Sequence, residues 1–388
     1  MTAPALPGDL RAPARAAAPR RAALRARYAW DTDPRLAPLR LRWDTALRTA
    51  HPLTACSPPR SPVRLRYTGL RDGARHILPF LARQGVETTA EGTGAPEERP
   101  PDIELSGIPA RQAGPPGPAT VVLPFRIQFA VPVGDGPEAL RARISDRERR
   151  AFAARRAAAQ WTWHVGTGPH AFDHFYEHMH LPTMRRRHGA AARSLPPGLA
   201  YECLFRRGIL FFLVQDGARV AGVLCARPRD GRVLTMRLLG VLDGARRYYT
   251  GGAVRALTHF ALEWACENGC ASVGLSGCEP FLSKGIFQFK QRFHPECRLP
   301  EDHFGGKRLV LRVLRDTPAV RDFLTANPLV ALGDGHGLEA LYFHDADRPP
   351  RTDLAWRCPG IRRARHVPLD TFTRGLPRED GPPRGGRP

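Results

Sequence analysis

Between Leu199 and Leu242 the chain falls into four runs with a period of two: Leu199–Phe205, Ile209–Gln215, Arg219–Arg227 and Arg232–Leu242. Such alternation is the pattern of strands with one buried face. The breaks are Arg207-Gly208, Asp216-Gly217, Asp230-Gly231 and Asp243-Gly244. Asp-Gly accepts the left-handed backbone that a tight hairpin turn needs at both central positions. The spacing therefore predicts a four-stranded antiparallel meander. A sheet of that kind needs helices or a second sheet to cover its apolar face, so the flanks must supply them.

They do so on both sides. Before the meander, Phe172, Phe175, Tyr176 and Met179 follow the i, i+3, i+4, i+7 spacing of an amphipathic helix over 170–188, which Pro182 should end or kink. After it, Thr250 to Asn268 reads as a helix with Leu257, Phe260, Ala261, Trp264 and Ala265 as its apolar stripe. Gly269 stands where a helix stop belongs. Then come a short buried strand (Ala271–Leu275), a helix (Gly285–Phe293, with Ile286, Phe289 and Phe293 on one side) and a strand (Lys307–Leu314).

Upstream, Val63–Tyr67, Asp102–Leu105 and Thr120–Val133 read as strands, with Asp72-Gly73 as a turn and His76–Gln84 as a short helix. Pro137 to Trp161 is a charged helix, with a restart at Ser145, whose spacing to Glu148 is that of a capping box. Residues 1–60 are rich in Pro, Ala and Arg and read as a disordered basic tail; residues 346–388 read as a second, mostly disordered tail. Residues 61–160 and 161–345 then form two successive folded segments.

Charge narrows the partners. Among 388 residues the formal net charge is +22, which favours polyanions, although part of it lies in the two tails. No run of about 18 apolar residues is present, so no helical membrane span is expected. Eight scattered cysteines contain no CxxC pair, which argues against a zinc site and for reduced thiols in a cytoplasmic protein. Only three of the 59 basic residues are lysine, and all three, Lys284, Lys290 and Lys307, fall between Ala271 and Lys307. Lysine is a compact point charge where arginine is a rigid fork. The clustering points to a site on an anionic or carbonyl group, with chance clustering of a rare residue as the other reading.

The order helix, antiparallel meander, Gly-containing loop opening a helix, strand, helix, strand resembles the GNAT acyltransferase fold. The residues Ile144-Ser145 with Arg149-Arg150, Phe175-Tyr176, Pro182, Arg187-His188-Gly189, Gly240-Val241, Gly251-Gly252-Ala253 and Gly285-x-x-x-Phe289-Lys290-x-x-Phe293 resemble its FemAB-like branch. The resemblance covers roughly Val63 to Leu314. It implies an α/β (α+β) fold with a mixed, mostly antiparallel sheet flanked by helices, in tandem with a degenerate first unit. It implies transfer of an acyl or aminoacyl group to an amine or hydroxyl, with acyl-CoA, an acyl-carrier thioester or aminoacyl-tRNA as co-substrate and no permanently bound cofactor. The acceptor would be a small molecule or a cell-envelope precursor, and tRNA is a possible partner. One departure is the start of the pyrophosphate loop, where Tyr248-Tyr249 precede Thr250-Gly251-Gly252.

Each candidate residue has a chemical reason. Gly251, Gly252 and Ala253 open a helix whose amino end attracts phosphate, and Arg246 and Arg247 add bidentate donors; a tight turn and a solvated rim are the plain readings. The resemblance implies that Lys290 binds substrate or donor, where it would steady an oxyanion or grip a phosphate; snorkelling to solvent is the alternative. An amine nucleophile must be neutral, so a base is needed. Glu202 on the first meander strand, His180 and His188 are the candidates. Tyr249 would protonate a thiolate leaving group; an aromatic anchor of the loop is the plain reading. Tyr176, His188, Ser276 and Lys284 complete the substrate side, with Ser283 beside Lys284. Cys278 raises covalent catalysis, without a convincing histidine partner. Two further readings remain: a non-catalytic basic nucleic-acid-binding protein, and a scaffold of this shape without chemistry.

Overall fold

The computed structural model describes residues 18–50, 53–56, 62–86, 89–90 and 100–378, except 190, 191, 193, 229 and 334–336. The first and last elements lie where tails were expected. Helices α1 (Ala18–Thr32) and α2 (Ala37–Ala50) and strand β1 (Leu53–Cys56) occupy most of residues 18–60. Alanine and arginine are good helix formers, and the described prolines of that stretch stand at or next to helix starts, where a missing N–H costs nothing. Residues 1–17 and 379–388 lie outside the described residues.

From there the expected order largely holds. β2 (Leu65–Gly69) precedes α3 (Arg71–Ala82), which starts earlier than expected because Asp72-Gly73 forms its first turn. β3 (Thr89–Ala90), β4 (Ile103–Pro109), β5 (Thr120–Pro124) and β6 (Ile127–Pro132) follow. The charged helix is broken where expected, into α4 (Pro137–Arg143) and α5 (Asp146–Ala158). β7 (Thr162–Gly166) was not anticipated. The amphipathic helix runs as α6 (Pro169–Asp173), a π-helical stretch (His174–His180) and α7 (Leu181–His188). Pro182 therefore does not end it. The widened turns lie just before the proline, where its ring and missing N–H disturb the regular ladder.

The meander has three strands rather than four. β8 (Gly208–Gln215), β9 (Ala218–Ala226) and β10 (Val233–Val241) pair antiparallel. Leu199–Phe205 instead forms α8 (Pro197–Leu199), a π-helical stretch (Ala200–Leu204) and a 3₁₀ turn (Phe205–Arg207). Its apolar residues bury as one helical face, with Leu199, Ala200, Cys203 and Leu204 inside. A run this short fits both periods. Asp216 and Gly217 take φ of 51° and 75°, as a tight hairpin requires. Asp243 and Gly244 take similar angles but lead into α9 (Arg246–Gly251) rather than a strand. α10 (Ala253–Glu267), β11 (Ser272–Cys278), α11 (Gly285–Lys290), β12 (Glu296–Arg298), β13 (Lys307–Val313), α12 (Pro318–Ala326), β14 (Leu329–Leu332), β15 (Leu338–His344), β16 (Ile361–Pro368) and α13 (Leu369–Phe372) complete the chain.

The chain forms two compact units, and the boundaries expected at 60, 160 and 345 are not those that divide it. Of the described residues, the first holds those within 18–29, 133–141 and 146–274; the second holds those within 30–132, 142–145 and 275–378. In the first unit β8 lies between β7 and β9, and β10 pairs β9 along its length. β10 pairs β11 in parallel only over Val233–Thr235. Phe172, Phe175, Met179, Leu210, Phe212 and Leu224 join in one core. In the second unit β13 inserts between β4 and β5 in a six-stranded sheet ordered β3-β1-β2-β4-β13-β5. Its core includes Tyr67, Leu105, Leu123, Phe281, Leu311 and Phe343. β14, β15 and β16 form a smaller sheet.

One glycine fixes the site geometry of the first unit. A Cβ on Gly240 would stand 2.4 Å from the backbone carbon of Met179 and 2.5 Å from the nitrogen of His180. The helix can approach β10 this closely only because that atom is missing. Gly240→Ala should lower stability by about 1–3 kcal/mol, as overpacking against an immovable backbone does. A urea melt with an unchanged midpoint would refute that close approach.

Candidate functional site

In the first unit, the helix over 169–188 lays polar side chains against β10. His180 Nδ1 lies 2.9 Å from the Leu239 carbonyl. A carbonyl only accepts, so Nδ1 carries the proton and Nε2 holds a lone pair. His180 is buried, and Nε2 has no hydrogen-bond partner among the described residues. Burial pushes its pKa below the ordinary value. Thr183 continues the contact: its hydroxyl accepts from the Val241 N–H at 2.9 Å and faces the Val241 carbonyl at 3.2 Å. β10 bulges at Arg237, just past the end of its pairing with β11.

The amino end of α10 is the second feature of this unit. Gly252 takes φ 100° and caps the helix. α9 precedes it, so the expected loop is a kink between two helices. A Cβ on Gly252 would meet Arg155 Nη1 at 3.1 Å, so a guanidinium already lies over the helix end. Arg246 and Arg247 are exposed on α9. Gly251 is exposed, whereas Ala253 is buried and starts the helix core. Tyr249 lies under the Arg187 guanidinium, 3.9 Å from its centre.

Other predicted residues are engaged elsewhere. Glu202 sits on a helix, not on a strand. It accepts from Arg206 at 2.9 Å and lies 3.9 Å from both Arg21 and Arg25, so its carboxylate is committed to ion pairs. Tyr176 donates to the Leu195 carbonyl at 2.6 Å, and burial pushes its phenol up to about 12. His188 is half-buried at the end of α7.

In the second unit the lysines define the chemistry. Lys290 is buried at the end of α11 and does not snorkel. The buried side of that helix is Phe287 and Lys290, while Ile286 is exposed. Lys290 Nζ donates to the carbonyls of Ser276 (3.0 Å) and Gly277 (3.2 Å) and lies 4.9 Å from the Phe129 ring centre. Successive carbonyls of a strand point to opposite edges. Ser276 takes φ 60°, which brings both to one side. Burial pulls the Lys290 pKa down to about 8.

Beside it, Glu279 is buried among cations. It lies 2.5 Å from Lys284 Nζ, 3.3 Å from Arg126 Nη1 and 3.5 Å from His76 Nδ1. Burial alone would raise its pKa; the hydrogen bond from His76 and the charges of Arg126 and Lys284 hold it well below the usual range. Ser283 Oγ pairs with the Asn327 side chain at 2.7 Å. Cys278 is buried and its thiol is pushed up to about 11, which opposes a thiolate nucleophile at neutral pH. Lys307 is fully buried and bonds Asp44 (2.6 Å) and Asp72 (2.7 Å). The ligand atoms of Asp44, Asp72 and His303 lie within 4.8 Å of one another, and this ammonium is what the two carboxylates hold. Sequence reasoning missed Arg126, His76 and Glu279, because no local pattern joins residues 76, 126 and 279.

No protein-family model matches this chain, and no curated protein sequence does. Similar solved structures include FemX (9% identity, TM-score 0.39, covering 70% of this chain and 91% of that one). The C-terminal domain of a putative lysylphosphatidylglycerol synthetase from Agrobacterium fabrum is another (12%, TM-score 0.36, 76% and 92%). A third is L-PGS from Bacillus licheniformis (13%, TM-score 0.35, 70% and 84%). At these identities the chemistry has to be read from this chain's own side chains.

The buried ammonium makes a pH prediction. Folded Lys290 loses its proton near 8, whereas an unfolded lysine keeps it to the ordinary 10.5. The unfolded state therefore binds more protons between those values, and stability should rise with pH across that window. Lys290→Met should remove this part of the rise. Urea midpoints at pH 8 and pH 10 for both proteins measure it, and an equal rise in the variant would contradict the assignment.

Proposed function

We propose that the protein is an acyltransferase that moves an acyl group from an acyl-CoA or acyl-carrier thioester to an amine or hydroxyl. The observation that carries this reading is His180: neutral, fixed in one tautomer by Leu239, with Nε2 left as a buried base beside β10. Nε2 takes the proton of the acceptor N–H or O–H as that atom attacks the thioester carbonyl carbon. The C–S bond then breaks, and the thiolate leaves with a proton from Tyr249 or solvent. The amino end of α10, with Gly252 and Arg155, suits a donor phosphate. Arg246 and Arg247 add cationic donors on α9.

Lys290 has a separate part in this reading, as the cation of the second unit that receives a substrate oxygen or phosphate. Its lowered pKa leaves it charged at neutral pH but close to titration. The alternative donor is aminoacyl-tRNA. It is favoured by the exposed Arg185, Arg186 and Arg187 on α7, which suit a polyanion.

Two measurements test the reading. A thermal-shift titration with acetyl-CoA, longer acyl-CoAs and CoA at fixed salt should give a saturable, acyl-dependent rise, about 2.7 kcal/mol at 100 times Kd. No shift with any thioester, together with a shift on aminoacyl-tRNA, would transfer the assignment to that donor. No shift with either would leave the acyltransferase reading without support.

The second is His180→Asn, whose amide N–H can still reach Leu239 while Nε2 is lost. Thiol release with an amine panel should fall about 10²- to 10⁴-fold. The wild-type stability should also decline as pH falls below 6.5, because the unfolded histidine takes a proton there that the buried one resists. The variant should lack that part of the decline.

A further inference from the structure

The second unit contains a cavity of about 340 Å³ between the start of β5, the β14-β15-β16 sheet and α13. This is within the size range of small-molecule sites. None of the residues assigned above to acyl transfer lines it. Val121, Leu341, Phe343, Val367 and Phe372 give it apolar walls. Arg365 and Arg374 line it as well, together with the buried Glu339.

The charges there do not balance. Glu339 Oε1 is met by two nitrogens of Arg363, Nε at 2.8 Å and Nη2 at 2.7 Å. Only Oε2 is left for Arg365, at 3.5 Å, too long for a hydrogen bond. Arg374 is exposed, and no carboxylate is paired with it among the described residues. One carboxylate is thus shared by two guanidiniums, while a third, that of Arg374, lines the same cavity. Room for that carboxylate comes from Gly333, where a Cβ would stand 2.3 Å from its carbon. Arg363 is satisfied by Glu339, while the fork of Arg365 keeps most of its donors available beside the apolar walls.

We propose that this cavity binds an amphiphilic anion: an apolar chain or ring ending in a carboxylate or a phosphate. The head group pairs with Arg365 and Arg374, and the tail lies against Leu341, Phe343 and Val367. A charge-assisted contact of this kind is worth about tenfold in affinity.

Isothermal titration of the full chain with octanoate, octyl phosphate and octanol, each below its aggregation concentration, tests this. At least one anion should bind one-to-one, at least tenfold tighter than octanol, and the tighter of the two identifies the head group. Arg374→Ala, on the surface, and Arg365→Gln, which leaves the Glu339–Arg363 pair, should each weaken the anion about tenfold and leave octanol unchanged. Val367→Trp should fill the cavity and remove binding. Four results each overturn the proposal: no saturable heat with either anion up to 1 mM, equal binding of octanol, anion binding that survives both arginine variants, or anion binding unchanged in a folded Val367→Trp. A misfolded Val367→Trp leaves the two arginine variants to decide.

Discussion

The close approach of the 169–188 helix to β10 sets the chemistry of the first unit. It depends on Gly240 having no side chain. Once the backbones are that near, the outward-facing polar groups of β10 need partners that water can no longer supply. Thr183 and His180 supply them. The price of leaving a buried carbonyl unbonded therefore fixes the histidine tautomer, and the tautomer leaves Nε2 as an acceptor. A structural demand and a chemical capability come from one hydrogen bond.

The second unit solves a different problem, that of burying cations. Lysine appears only where the charge is enclosed or nearly so: Lys307 between two aspartates, Lys284 on Glu279, Lys290 on two carbonyls. An ammonium presents three donors from one small atom, whereas a guanidinium presents a rigid planar fork. In a chain otherwise rich in arginine, the three lysines each set a single small cation against its partners. Lys307 ties residues distant in sequence, and only Lys290 lacks a carboxylate among its bonding partners.

Much of the fold was legible because its signals are local. Asp216-Gly217 names its own turn, and Leu257, Phe260, Ala261 and Ala265 name a helix face that is buried as expected. The failures have physical reasons too. Leu199–Phe205 is short enough to satisfy either period, and packing chose helix. The arginine-rich stretch after residue 17 looked like a tail because composition does not report ordering by tertiary contact, such as that of Arg21 and Arg25 with Glu202. The insertion of β13 between β4 and β5 is invisible to any window, since its partners lie about two hundred residues away. For the site, Gly252 and Lys290 were legible as residues. Their surroundings were not, because Arg155, Ser276 and Phe129 reach them through the fold alone.

The same packing explains the charge. A net +22 could arise from tails, yet the folded residues contribute to it in a particular way. Four buried carboxylates each hold more than one cation: Glu202 with Arg21, Arg25 and Arg206; Glu279 with Arg126 and Lys284; Glu339 with Arg363 and Arg365; Asp316 with Arg321 and Arg378. These carboxylates are shared, several of them by arginines that themselves reach the surface, so their charge is spread over more than one cation. Arg185, Arg186 and Arg187 on α7 and Arg246 and Arg247 on α9 stand exposed within the unit that holds His180. A field of one sign around a reaction centre raises the local concentration of anionic substrates and weakens steeply with salt. The surface basicity thus belongs to the folded units as well as to the chain ends, and any anion that approaches the first unit meets it.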